Sequence, residues 1–214
     1  MKRRTFVHHF VERTLVAPLT LGALGAVAFA TAPASASTAS SPATDEATLR
    51  LIRAGGVVIA IRHALAPGTF DPPQFKVEDC GTQRNLNDAG RDQARRIGQW
   101  FKEQKLQPAM VRSSPWCRCK ETARLAFGKF EAWTALGSPR GYTEATNAEH
   151  LSLLRQRLRN VGEQKPAGFE VWVTHNFVLS DFAGSGASVG EALVLRAAAD
   201  GSAQVLGRIA APAL

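Results

Sequence analysis

Residues 57–64, "VVIAIRHA", run five apolar residues, Val57 to Ile61, straight into Arg62 and His63. Five consecutive β-favouring residues fit a strand buried on both faces, as in a parallel sheet covered by helices. A guanidinium and an imidazole at its end have two readings. Either the strand reaches the surface there, or its end is a reaction site.

Two further stretches repeat the pattern. A short strand around Met110 to Arg112 runs into Ser113-Ser114-Pro115, with Arg118 one turn into the helix that follows. Glu170 to Thr174, "EVWVT", runs into His175-Asn176. Between them, "NLNDAGRDQARRIGQWFKEQKL" places Ala94, Ile97, Trp100 and Phe101 at helical spacing behind a capping Asn87 or Asp88. Ser114 is expected to cap the helix "WCRCKETARLAF", with Pro115 at its first position. "EATLRLIRAGG" reads as a short helix stopped by Gly55-Gly56, "NAEHLSLLRQRLRNV" as another helix, and "EALVLRAA" with "AQVLGRIA" as a hairpin around Asp200-Gly201. The alternation predicts a three-layer α/β/α sandwich with a mainly parallel sheet and an antiparallel edge from the tail hairpin. In such sheets ligands bind outside the carboxyl ends of the strands, where all three polar pairs fall.

The first residues read differently. Lys2-Arg3-Arg4, an apolar run "LVAPLTLGALGAVAFA" and the small residues Ala34-Ser35-Ala36 make residues 1–36 a secretory signal peptide cut after Ala36. "RRTF" resembles the twin-arginine export signal. The alternative is an uncleaved anchor, for which the run is short and broken by Pro18. Residues 37–45 are a small, polar linker and residues 46–214 the catalytic domain. The location expected is periplasmic or secreted, with no stable membrane span after cleavage.

The chain carries a net charge of +8; residues 1–36 hold four basic residues and one acidic, which leaves about +5. That balance fits an anionic small substrate as easily as a nucleic acid, but the scattered basic residues, not interleaved with aromatics, argue against nucleic acid. Cys80, Cys117 and Cys119 are an odd set, read as one disulfide and one free thiol. Cys117 and Cys119 are too close to pair without strain, so Cys80 joins one of them. The spacing supplies no fourth ligand for zinc, and no metal site is expected.

Two arginines and two histidines at one rim suit a compact dianion. Guanidinium matches phosphate oxygens in bidentate fashion, and a neutral imidazole can attack phosphorus while a second holds an oxygen. Asn176, Ser114 and the helix starts after Ser114 and Thr174 add donors.

At these residues the chain resembles the histidine phosphatase superfamily, in the branch that includes cofactor-dependent phosphoglycerate mutase. "IRHALAPG" is similar to its Arg-His-Gly signature, "LNDAGRDQARRIGQWF" to its leucine, glycine and "QA" helix, "VRSSPWCRCKETARLAF" to its Ser-Ser, Arg and Thr-Ala segment, and "VWVTHN" to its second-histidine strand. The resemblance implies a phosphohistidine on His63, a pocket of Arg62, Arg118 and His175, no metal or other cofactor, and hydrolysis of a phosphate monoester or phosphoanhydride. An exported member resembles the periplasmic relatives that dephosphorylate lipopolysaccharide-core sugars.

Two positions depart from the pattern. Ala64 replaces the signature glycine, which matters only if a positive φ is required. Ser138, in "WTALGSPRGYTEA", stands near the place of the family's proton-donating glutamate. The general acid then falls to Glu144, Asp71 or Glu191. A protein that kept the pocket and lost the acid would instead be a non-catalytic phospho-ligand binder. His150 reads as a surface residue, and Trp100, Phe101 and Trp172 as core.

Overall fold

The computed structural model describes residues 44–164 and 168–212. The signal-peptide reading, its cleavage after Ala36 and most of the linker lie outside the described residues. Helix α1 (Glu46–Ala54) is capped by the Asp45 carboxylate, which accepts from the Thr48 N–H, and ends at Gly55, whose φ is 73°. Strand β1 (Val57–Arg62) follows at once. Helix α2 (Asp88–Glu103), strand β2 (Met110–Ser113), helix α3 (Cys117–Phe127) and a two-residue strand β3 (Glu131–Ala132) come next. Helix α4 (Glu144–Glu163), strand β4 (Phe169–Thr174), helix α5 (Asn176–Ala183) and the hairpin strands β5 (Ala192–Ala197) and β6 (Ala203–Ile209) complete the domain.

The sheet runs β3-β2-β4-β1-β5-β6. The first four strands are parallel, and the tail hairpin adds an antiparallel edge through β5, as the sequence predicts. Side chains alternate across it. Val57, Ile59 and Ile61 face a core shared with α1, α2 and α3, whereas Val58 and Ala60 face one shared with α4 and α5. Both faces of β1 are therefore dry, which is why its apolar run is unbroken.

The register sets the site. Arg62 lies opposite Thr174 and Ser113 opposite Val173, so the residues that follow β1, β2 and β4 emerge side by side at one edge. Helix α2 holds the first of these segments close: Gly90 leaves no room for a side chain, since a Cβ there would lie 2.0 Å from the Leu65 carbonyl oxygen. One turn on, buried Gln93 accepts from the Leu65 N–H at 3.0 Å and donates to the Val189 carbonyl at 3.1 Å.

Helix α3 corrects the capping expectation. It starts at Cys117 behind Trp116, two residues later than Ser114 and Pro115 imply. The Ser114 hydroxyl is engaged with His175 instead, and the first N–H of α3, on Cys117, donates to Gln83 from the long loop. His150 is also not a plain surface residue, because its ring packs edge-on against Tyr142, centroids 4.7 Å apart. Phe101 and Trp172 are buried, each in the core on its own face of the sheet, and Trp100 packs against Phe101 at the core margin, as expected.

Candidate functional site

The strand ends of β1 and β4 and the first turn of α3 deliver His63, His175 and Arg118 to one buried cluster, with 2–4 % of each residue's surface exposed. His63 Nδ1 lies 2.8 Å from the Ala64 carbonyl, which can only accept. The ring proton is therefore on Nδ1, and Nε2 carries the lone pair. Arg118 Nε–H donates to that Nε2 at 3.2 Å. A second Arg118 donor, Nη2, reaches His175 Nδ1 at 3.3 Å, and His175 Nε2 meets the Ser114 hydroxyl at 2.8 Å. The two imidazole centroids are 5.5 Å apart.

Burial lowers the His63 pKa to about 3, assisted by the Arg118 charge. The same two causes, with burial the larger, hold His175 well below the ordinary histidine value. Both rings are neutral near pH 7. Ala64 is fully buried, takes no positive φ, and donates its N–H to the Thr122 hydroxyl, so alanine fits the place of glycine without strain.

Above the cluster opens a cavity of about 380 Å³ lined by Arg62, His63, Arg118, His175 and Asn176 among others. Arg62 spends one donor on the Ala187 carbonyl at 2.9 Å. Asn176 lines the wall, but its side-chain oxygen accepts from the Ala187 N–H at 2.9 Å and so braces the same loop. Ser114 does not line the cavity; fully buried, it stands behind His175 and orients that ring.

Of the three carboxylates considered as acids, Asp71 alone lines the cavity. It accepts from Arg118 Nη1 at 2.8 Å and 3.1 Å, and from the Arg84 N–H at 2.9 Å. Glu144 opens α4 on the exposed surface. Glu191 is paired with Arg208 at 2.7 Å and accepts from the Ser188 N–H, with no edge on the cavity. Ser138 is buried and does line the cavity.

Sequence reading missed two guanidinium groups. Arg84 reaches the cavity from the end of the long loop and donates to the Ala66 carbonyl. Arg140 reaches it from a 3-10 turn at Pro139–Gly141. Neither stands at a strand end, so only the closure of the loops brings them in. The loop of residues 64–84 is fixed to α3 by the Cys80–Cys117 disulfide, one of the two pairings expected. Cys119 is the free thiol, fully buried beside His175 with its Sγ 3.5 Å from Nε2, and burial pushes its pKa up to about 12.

Three cavity-lining residues carry a buried N–H with no acceptor among the described residues: Arg62 Nε, Arg84 Nε and Trp116 Nε1. Native structures rarely leave such donors orphaned, and a bound anion is a partner that suits them.

The model of the histidine phosphatase superfamily (branch 1) matches residues 58–136, from β1 through β3 and the 3-10 turn Thr134–Leu136. Over that segment the chain is similar to the histidine phosphatase superfamily. The matched segment carries His63, Asp71, Arg84 and Arg118, while His175 and Arg140 lie beyond it. Solved structures of similar fold include the protein histidine phosphatase SixA complexed with tungstate, at 17 % identity and TM-score 0.50 over 72 % of this chain and 96 % of that one. The Mycobacterium tuberculosis open reading frame Rv3214 gives 16 % identity and TM-score 0.52 over 72 % and 96 %. The native mycobacterial glucosyl-3-phosphoglycerate phosphatase Rv2419c gives 13 % and 0.50 over 73 % and 99 %. At these identities the likeness is one of fold. No curated protein sequence matches the chain.

Proposed function

We propose that this protein is a histidine phosphatase that hydrolyses a phosphate monoester or phosphoanhydride in two steps through a phosphohistidine on His63. The observation that carries the reading is the neutral His63 Nε2 lone pair facing a cavity whose walls hold Arg62, Arg118 and unpartnered buried N–H groups. Arg118 is the pivot. Its Nε and Nη2 donors hold the two imidazoles and can turn to phosphoryl oxygens when a dianion enters, which uncovers Nε2. The Ser114 hydroxyl can donate as well as accept, so His175 can adopt the tautomer with Nδ1–H facing the phosphoryl group.

In the first step the Nε2–P bond forms as the bond from phosphorus to the leaving oxygen breaks. Asp71 supplies the proton to that oxygen. A phosphoryl group that takes the place of Asp71 on Arg118 frees the Asp71 side chain to face the leaving oxygen, to which it passes a proton drawn from solvent. In the second step water attacks phosphorus, its proton passes to the Asp71 carboxylate, the P–N bond breaks and phosphate leaves. Ala64 O, accepting from Nδ1–H, stabilises the ring as charge develops on it.

We place the protein outside the cytoplasm, in the periplasm or secreted, where a lipopolysaccharide-core sugar phosphate would meet it. The leader-like residues 1–36 and the Cys80–Cys117 cross-link support that location. The test is turnover of p-nitrophenyl phosphate and acetyl phosphate by wild type and His63→Ala, with trapping of an acid-labile, base-stable phosphoenzyme. Phosphoenzyme and turnover present in wild type and absent from the variant are expected. Phosphate binding without turnover would establish the non-catalytic binder in its place.

A further inference from the structure

The mouth of the cavity holds a feature that phosphoryl chemistry does not use. Among the described residues only three large apolar side chains are exposed: Phe70 at 52 %, Phe177 at 41 % and Leu153 at 37 %. Phe70 and Phe177 both stand on the cavity rim. They belong to different elements, the loop after β1 and the first turn of α5, and Arg140 lies between them. Its guanidinium carbon is 3.9 Å from the Phe70 ring centroid and 5.5 Å from that of Phe177.

Stacking fixes the plane of a guanidinium without consuming any of its N–H donors. Arg62, Arg84 and Arg118 each spend donors on protein acceptors. Arg140, among the described residues, makes no hydrogen bond or ion pair and keeps its whole donor fork available at the mouth. Charge points the same way. Four guanidinium groups line the cavity against the single Asp71 carboxylate, with both imidazoles neutral. A phosphate monoester dianion leaves one positive charge uncompensated.

From this geometry we infer that Phe70, Arg140 and Phe177 form a leaving-group subsite for a ring carrying one further anionic group. The anion takes the Arg140 fork in bidentate fashion, and the ring lays an apolar face on the phenyl groups. The inference rests on the phosphate-pocket reading above, and it assigns the substrate class to phosphorylated, ring-bearing acids.

The test uses non-hydrolysable ligands, so that binding is read apart from catalysis. Phenylphosphonate and 4-carboxyphenylphosphonate are titrated calorimetrically into wild type, Arg140→Gln and Phe70→Leu. Wild type is expected to bind the carboxylated ligand about tenfold tighter, and Arg140→Gln to bring the ratio to about one. Phe70→Leu is expected to weaken both aryl ligands relative to methylphosphonate. Equal affinities in wild type, or a preference that survives in Arg140→Gln, overturn the subsite. If the preference holds while p-nitrophenyl phosphate is not turned over, the subsite stands and the phosphatase reading falls; no binding of any phosphonate overturns both.

Discussion

Replacing Gly90 by alanine tests how the nucleophile segment is held. A Cβ at position 90 would lie 2.0 Å from Leu65 O, 2.9 Å from Leu65 C and 3.2 Å from Leu65 N, so the obstacle is backbone and cannot rotate away. Overpacking costs about 1–3 kcal/mol, and a backbone obstacle belongs at the upper end. The better helix propensity of alanine returns at most about 1 kcal/mol. A net loss of about 2 kcal/mol follows, which for a domain of this size lowers Tm by about 4–8 °C. The displaced segment ends two residues from His63, and a misplacement of about 1 Å at a reacting group costs on the order of 100-fold in rate. Differential scanning calorimetry and kcat/KM are measured together, beside Gly162→Ala in α4. There the nearest atom to a Cβ is Gly56 O at 4.0 Å, so alanine should stabilise by up to about 1 kcal/mol. Gly90→Ala with wild-type Tm and kcat/KM, or Gly162→Ala equally damaging, would refute the packing argument.

Three further outcomes are expected. The His63 pKa falls from 6.5 unfolded to about 3 folded, so below pH 6.5 the unfolded state binds the extra proton and stability is lost as pH drops toward 3. At pH 5 that linkage amounts to about 2 kcal/mol, and urea titrations of His63→Gln at pH 7 and pH 5 should show a fall smaller by about that amount than wild type. The Cys80–Cys117 bond spans 37 residues, and replacing both cysteines with alanine should cost up to about 4 kcal/mol by chain entropy, read as an earlier urea midpoint. Asp71→Asn should slow p-nitrophenyl phosphate at least tenfold less than it slows an alkyl phosphate, because the poorer leaving group needs the proton; equal effects on both would remove Asp71 as the acid.

Much of the fold is legible because burial leaves local marks. The unbroken apolar run of β1 records a strand covered on both faces, and the resemblance in "LNDAGRDQA" has a physical basis, since Gly90 admits the Leu65 backbone and Gln93 grips it. The start of α3 differs from the local expectation because capping is not settled locally. Ser114 gives its hydroxyl to His175, and the Cys117 N–H finds Gln83, which is 34 positions away. The site divides in the same manner. Residues at strand ends, His63 and His175, come with a strand pattern that announces them. Arg84 comes from the irregular end of the loop of residues 64–84, tied to α3 by the disulfide, and Arg140 from the 3-10 turn Pro139–Gly141, and neither carries a strand pattern that marks it. Glu144 and Glu191 were plausible as carboxylates near the motifs, yet one is solvated and the other is held by Arg208.

The same geometry explains why a site so rich in positive charge suits a histidine nucleophile. Burial and the Arg118 charge, which lower the His63 pKa, would paralyse a group that had to be protonated to act, but they favour one that must attack through a lone pair. The cost is mutual repulsion among the four guanidinium groups that line the pocket. Asp71 relieves it: its carboxylate occupies Arg118 at the distance a phosphoryl oxygen would take. On the proposed mechanism an entering phosphate displaces that carboxylate and takes its place on Arg118. On that mechanism, filling the phosphate site and freeing Asp71 to act as the acid are one event, carried by the exchange of partners on Arg118.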